Sequence, residues 1–193
     1  MLVDSPMNET FMTFSEESNA LDYFERAAHF IQETSTDSHA WKWVILSLHG
    51  ALYGFAICAC KGSDGETVTR KTKQGPRLIS FSEALSACQD PNRMQMTVLS
   101  KPLILNNDQR ASINHLQRFL RNPFEHYIPM SWHIEINGMP TIAIHCIEVI
   151  RFLALNTGNY IMLAKDENDR IDLLTDETIE FLRAMTNKYN LHE

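Results

Sequence analysis

The sequence predicts an all-α helical bundle. Three observations lead there. Apolar residues recur at spacings of three and four in several separate segments, one stretch is apolar on every face for about five turns, and almost nothing alternates as strands do. Composition agrees: 44% apolar and 21% charged residues over 193 positions are ordinary globular values, so residues 1–193 are read as one domain.

Ser18 to Thr34 carries Leu21, Phe24, Ala28 and Ile31 on one face, the stripe of a first amphipathic helix. Asp37 or Ser38 then stands ready to cap a second, "WKWVILSLHGALYGFAICAC". Trp43 to Cys60 approaches the roughly 18–20 residues of a membrane span, with Lys42 and Lys61 at its ends. Ser47 and His49 in mid-run, and amphipathic segments elsewhere, favour a central helix wrapped by its neighbours. The expectation is therefore a chain without a membrane segment. The opening "MLVDSPMNETF" has no basic stretch followed by an apolar run, so a cytoplasmic location is expected. Gly50 and Gly54 form a GxxxG step that would let another helix come close, within the fold or across a dimer. His49 reads as a satisfied core histidine.

Residues 62–105 read as an irregular connector, with turn signals at "GSDG" and "QGP" and a short helix from Phe81 to Cys88. "NNDQRASINHLQRFL" starts a strong helix, capped by Asn107 or Asp108 and striped by Ile113, Leu116, Phe119 and Leu120. "WHIEING" alternates enough for a short extended piece. "TIAIHCIEVIRFLAL" follows as a buried helix beginning near Pro140. Residues 163–174 read as a charged linker. The last helix begins at "TDET" and runs through Ile179, Leu182 and Met185 to about Lys188. The sum is about five main helices.

A formal net charge of −7 argues against a protein that coats nucleic acid without selectivity, since phosphate neutralisation drives such binding. Any contact with RNA must be local, and the one basic cluster is "TRKTKQGPR", with Arg70, Lys71, Lys73 and Arg77. Cys58, Cys60, Cys88 and Cys146 lack the paired spacing of a zinc site and read as reduced core thiols. There is no phosphate-binding glycine loop, GxSxG elbow or HExxH motif. Neither metal nor cofactor is implied, which leaves acid and base chemistry by side chains.

"RFLRNPFEHYIP" is the stretch that carries such chemistry. Arginine offers a permanently charged fork for a phosphoryl oxygen, and histidine exchanges a proton near neutral pH. Arg121 and His126 thus suit RNA cleavage by the ribose 2′-hydroxyl. Spacing alone is weak: ten arginines and eight histidines produce about 0.4 such pairs by chance, and Arg110 with His115 is a second one. Context separates them, since Arg121 is followed by Asn122 and Pro123. Asn122 suits an N-cap, Pro123 the first helical position and Glu125 the far half of a capping box, so the helix is expected to stop or kink near Arg121. On a straight helix Arg121 and His126 would lie ~140° apart, and a kink would turn them toward one cleft.

"FLRNPFEHYIP" resembles the Arg-(Asn/His/Asp)-x(3–5)-His signature of HEPN domains, the α-helical higher eukaryote and prokaryote nucleotide-binding domains. The context "LRNPFEHYIPMSWHIEINGMP" is similar to bacterial and plasmid-borne members, and the likeness runs over about Asn106 to Leu155. It implies a metal-independent endoribonuclease, often the toxin of a toxin–antitoxin pair or a phage-defence factor. Arg121 would bind phosphate, Asn122 would orient the site and His126 would transfer the proton. The site would be shared across a homodimer, with an antitoxin protein as a further partner. Arg70, Lys71, Lys73, Arg77 and Arg118 would guide the RNA. The tyrosine that such toxins carry two residues beyond the histidine is replaced by Ile128, with Tyr127 beside His126. The alternative is a catalytically silent helical interaction module.

Overall fold

A computed structural model describes residues 11–62, 65–126, 129, 131–159 and 161–190. Ser15 opens the first helix, α1 (Glu16–Glu33), through a reciprocal capping box with Ser18. The second, α2 (Ala40–Cys60), begins without a side-chain cap of its own. Asp37 acts one step earlier, accepting the His39 backbone N–H at 2.8 Å. Ala20, Phe24, Ala27 and Ile31 of α1 and Val44, Leu48, Leu52 and Phe55 of α2 are all sealed from solvent. The two helices run antiparallel, with Glu16 and Glu17 at one end gripping Lys61 at the other. The GxxxG step is used within the fold. A Cβ on Gly54 would come within 2.7 Å of the Ala20 Cβ, and one on Gly50 within 2.5 Å of the Tyr23 ring.

The connector is more ordered than the sequence suggests. A single 3-10 turn, Glu66–Val68, leads into an antiparallel hairpin of β1 (Thr69–Thr72) and β2 (Gly75–Leu78), and a helix α3 (Phe81–Gln89) follows. The hairpin was missed because Lys73 and Gln74 at its tip are not the Asn-Gly type that signals such a turn. Gly75 supplies the positive φ of 113° instead. Of the turn signal "GSDG", Ser63 and Asp64 lie outside the described residues, as does the opening stretch through Thr10.

The next helix, α4 (Asn107–His115), is capped by Asn106, one residue before the expected position. It does not break at the proline. The chain widens into a π-helical turn, Leu116–Arg121, and continues as α5 (Asn122–His126), with Asn122 itself helical at φ −59°, ψ −42°. This corrects the expected stop and the expected N-cap. Pro123 lacks the N–H that an α-helix needs, and its ring would press on the carbonyl four residues earlier. A turn closed by i→i+5 bonds accommodates both without ending the helix.

"WHIEING" forms no strand, although Ile134 and Ile136 alternate inward against the core. The buried helix α6 (Met139–Arg151) has proline in its first turn and passes into a second π-helical run, Phe152–Asn156. The charged linker is also corrected. Residues 165–174 belong to the last helix, α7 (Lys165–Asn190). Glu167 accepts the Ala164 backbone N–H, Ile171 is fully buried, Arg170 meets Glu25 of α1 and Asp172 meets Arg151 of α6. Charges that look like a solvated tether in the sequence are the outer face of a docked helix.

The fold is thus a mostly helical bundle carrying one small two-stranded sheet. Its axis is α2, which packs against α1, α3, α6 and both π-helical runs. Among the described residues two stretches, Ala40–Cys60 and Met139–Asn156, are long and apolar enough to cross a membrane, and most of the first is buried within the fold.

Candidate active site

The π-helical turn delivers Arg121 to the flank of α2, where the two elements meet. There a cleft of about 540 Å³ opens between α1, α2, the end of β2, the start of α3 and the Arg121 turn. Tyr23 comes from α1, His49 and Tyr53 from α2, Leu78 and Ser80 from the hairpin side, and Gln117, Arg121 and Glu125 from the far wall.

Arg121 is 25% exposed. Its Nη2 donates to Glu125 Oε2 at 2.8 Å and its Nη1 to Asn122 Oδ1 at 3.2 Å. Glu125 was expected to close a capping box. It holds the guanidinium instead, because the continuing helix leaves it no free backbone N–H to reach. The Nε–H of Arg121 is buried and meets no acceptor among the described residues. An exposed carboxylate pairing of this kind contributes about 0–1 kcal/mol, so an incoming anion can displace Glu125 at small cost.

His49 forms the opposite wall. It is 8% exposed, packed at 4.8 Å against the Phe81 ring and at 6.4 Å against Tyr53, and has no hydrogen-bond partner among the described residues. Burial first, and the Arg121 charge second, push its pKa down to about 4. The imidazole is therefore neutral at physiological pH. Tyr53 donates its hydroxyl to the Ile79 carbonyl, and burial together with Glu83 raises its pKa. Ser80 caps α3 through a box with Glu83, whose carboxylate is held low by the Ser80 backbone N–H.

Arg121 and Asn122 are thus in contact, and Arg121 lines the cleft, whereas His126 stands apart. His126 is exposed at the end of α5, does not line the Arg121 cleft, and makes no hydrogen bond or ion pair among the described residues. Tyr127 and Ile128 lie outside the described residues. The basic cluster is the hairpin itself. Arg70 stands opposite Arg77 across the strands and pairs with Glu83, while Lys71, Lys73 and Arg77 are exposed. Leu78 and Ser80 carry its end to the lip of the cleft. Arg118 is exposed.

Sequence reading missed His49 as a site residue, and no local pattern could have found it, since its neighbour Arg121 is far along the chain. A second cavity, about 750 Å³, lies where Phe124 meets α2 and the 131–136 segment. Trp43, Phe124 and Trp132 line it, and the Lys42 ammonium sits 4.7 Å from the Trp43 ring centre. All four cysteines are free and buried, and no group of three or more His, Cys, Asp or Glu among the described residues could hold a metal ion. No protein-family model, no curated protein and no solved structure matches this chain.

Proposed function

We propose that the chain is a metal-independent endoribonuclease of the HEPN type, acting on single-stranded or loop RNA. One observation supports this reading above the rest: Arg121, within the Arg-Asn-x3-His stretch, lines a solvent-open cleft with a buried imidazole on its other side. The guanidinium would receive the scissile phosphate as Glu125 swings out. Asn122, already bonded to Nη1, would fix the orientation of the fork.

His126 transfers a proton in this reading, and its exposure on α5 suits a site completed by a second copy of the chain. A homodimer brings two such histidines together, one as base and one as acid. The hairpin with Lys71, Lys73 and Arg77, whose end borders the cleft, would guide the strand, and Arg118 would add to it. The biological setting in keeping with this chemistry is a cytoplasmic toxin held in check by an antitoxin, or a factor that degrades RNA during phage infection.

The test is cleavage of a labelled RNA in EDTA by the purified protein and by His126→Ala side by side. Wild-type cutting that ends in 2′,3′-cyclic phosphates, is absent on a 2′-deoxy substrate and is lost in the variant supports the reading. Equal cutting of the deoxy substrate would falsify it.

A second reading has its own support, because Arg121 is already paired with Glu125 and His126 does not line the Arg121 cleft. On that reading the chain is a catalytically silent helical interaction module. It expects no cleavage by any form, and it expects His126→Ala to leave partner capture intact.

A further inference from the structure

His49 departs most from what its sequence position suggests. A histidine inside an apolar helix is ordinarily buried and hydrogen-bonded, since a buried polar group without a partner is costly. Here the residue is 8% exposed, its ring is walled by Phe81 and Tyr53, and it has no hydrogen-bond partner among the described residues. It lines the same cleft as Arg121, whose own Nε–H lacks an acceptor. The orphaned Arg121 Nε–H and an imidazole with no protein partner, from elements distant in sequence, therefore border one space. A phosphodiester offers what both lack: anionic oxygens for the guanidinium and, in RNA, a neighbouring hydroxyl for the imidazole.

We propose that His49 and Arg121 form one phosphodiester site in which His49, rather than His126, accepts the proton of the attacking 2′-hydroxyl. The inference rests on the ribonuclease reading and changes its chemistry from a base shared between protomers to a base inside one chain. The proton of the 2′-hydroxyl passes to His49, and the 2′-oxygen bonds to phosphorus. The bond from phosphorus to the 5′-oxygen then breaks, with its electron pair leaving on that oxygen. The departing oxygen takes a proton from His126 of a second copy, or from water. The products are a 2′,3′-cyclic phosphate and a 5′-hydroxyl, and His49 returns its proton to solvent.

Electrostatics favours this assignment. His49 shares the cleft with Arg121, with Glu125 and Glu16 and with Tyr23 and Tyr53 also lining it. Burial and the arginine keep the imidazole neutral, which is the form a base needs. A bound phosphate cancels the arginine charge, so His49 becomes more basic only when substrate is present.

The experiment compares wild type, His49→Gln, Arg121→Ala and His126→Ala on one RNA in EDTA. Binding is followed separately with a 2′-deoxy analogue. His49→Gln is expected to lower kcat at least about 100-fold, leave affinity for the analogue within a few-fold and remove the acidic limb of the pH profile. His49→Gln cutting within five-fold of wild type, with Arg121→Ala inactive, overturns the inference and leaves the ribonuclease reading standing. If wild type cuts no RNA, that reading falls and the His49 site is judged alone, by 15N shifts of its ring as inorganic phosphate is added. Shifts in wild type that vanish in Arg121→Ala keep the shared site, and their absence in wild type ends it. Should His49→Gln fail to fold by circular dichroism, His49→Asn and the wild-type ring titration decide the matter.

Discussion

Two stretches of this chain carry an arginine with a histidine five residues later, and they end in different surroundings. Arg110 is exposed on α4 and reaches Gln89, at 3.3 Å, while His115 lies exposed against the Phe119 ring at 5.4 Å. Arg121 has the same partner spacing but comes after the π-helical turn, which sets it into the cleft against α2. His126, for its part, does not line the cleft that Arg121 lines. What separates the two arginines is therefore not their spacing to a histidine but the turn that precedes the second. Pro123 forces a wider turn ahead of it, and that turn decides what Arg121 faces.

The contrast is sharpest in activity. Arg121→Ala is expected to cut EDTA-resistant RNA cleavage by about 10²–10³-fold, the usual cost of losing a charge-stabilising donor, while Arg110→Ala stays within about two-fold. Equal loss in both would mean that the cleft does not matter and that surface charge alone recruits RNA.

Next in size is a pH effect on stability that belongs to the cleft alone. The folded state holds His49 at about 4, below its ordinary 6.5, so the unfolded chain takes up this proton first as pH falls. The stability contributed by neutral His49 is full above about pH 6.5 and is lost progressively toward pH 4, by at most about 3 kcal/mol. Urea midpoints at pH 7.5 and 4.5 should differ more in wild type than in His49→Gln.

The α1–α2 contact that walls the cleft is open to a steric test. Gly54→Ala places its Cβ 2.7 Å from the Ala20 Cβ and 3.1 Å from its Cα, so α1 must shift, at a cost of about 1–3 kcal/mol in thermal unfolding. Gly138→Ala, with nothing within 4 Å, should not show that loss. The smallest effect is expected at His115→Ala, an exposed site off the cleft, where the change stays under about 0.5 kcal/mol. A larger one there would mean that the Phe119 stack supports the π-helical turn.

Much of the scaffold was legible. The stripe of α1, the buried helix α6, the short helix α3 and the all-round apolar α2 are legible from residue type and local spacing, which survive whatever packs against them. What was misread lacks such a pattern. Residues 165–174 have charges on several sides, and they become helical because Ile171 is buried and Arg170 and Asp172 find partners on α1 and α6. The hairpin has no strong turn signal of its own. The chain through Asn122 reads locally as a helix end, and continues because the π-helical turn relieves the proline.

By itself, then, the sequence determined that the chain is a helical bundle around one apolar helix, and it singled out Arg121 with His126 as the candidate pair. Those conclusions follow from residue type and local spacing, which need no knowledge of distant contacts. Only the tertiary structure decided that Glu125 binds Arg121 instead of capping a helix, that His126 lies outside the cleft, and that His49 lies inside it. Each depends on which helix faces which, and that is fixed by burial of the shared core rather than by any short stretch of sequence.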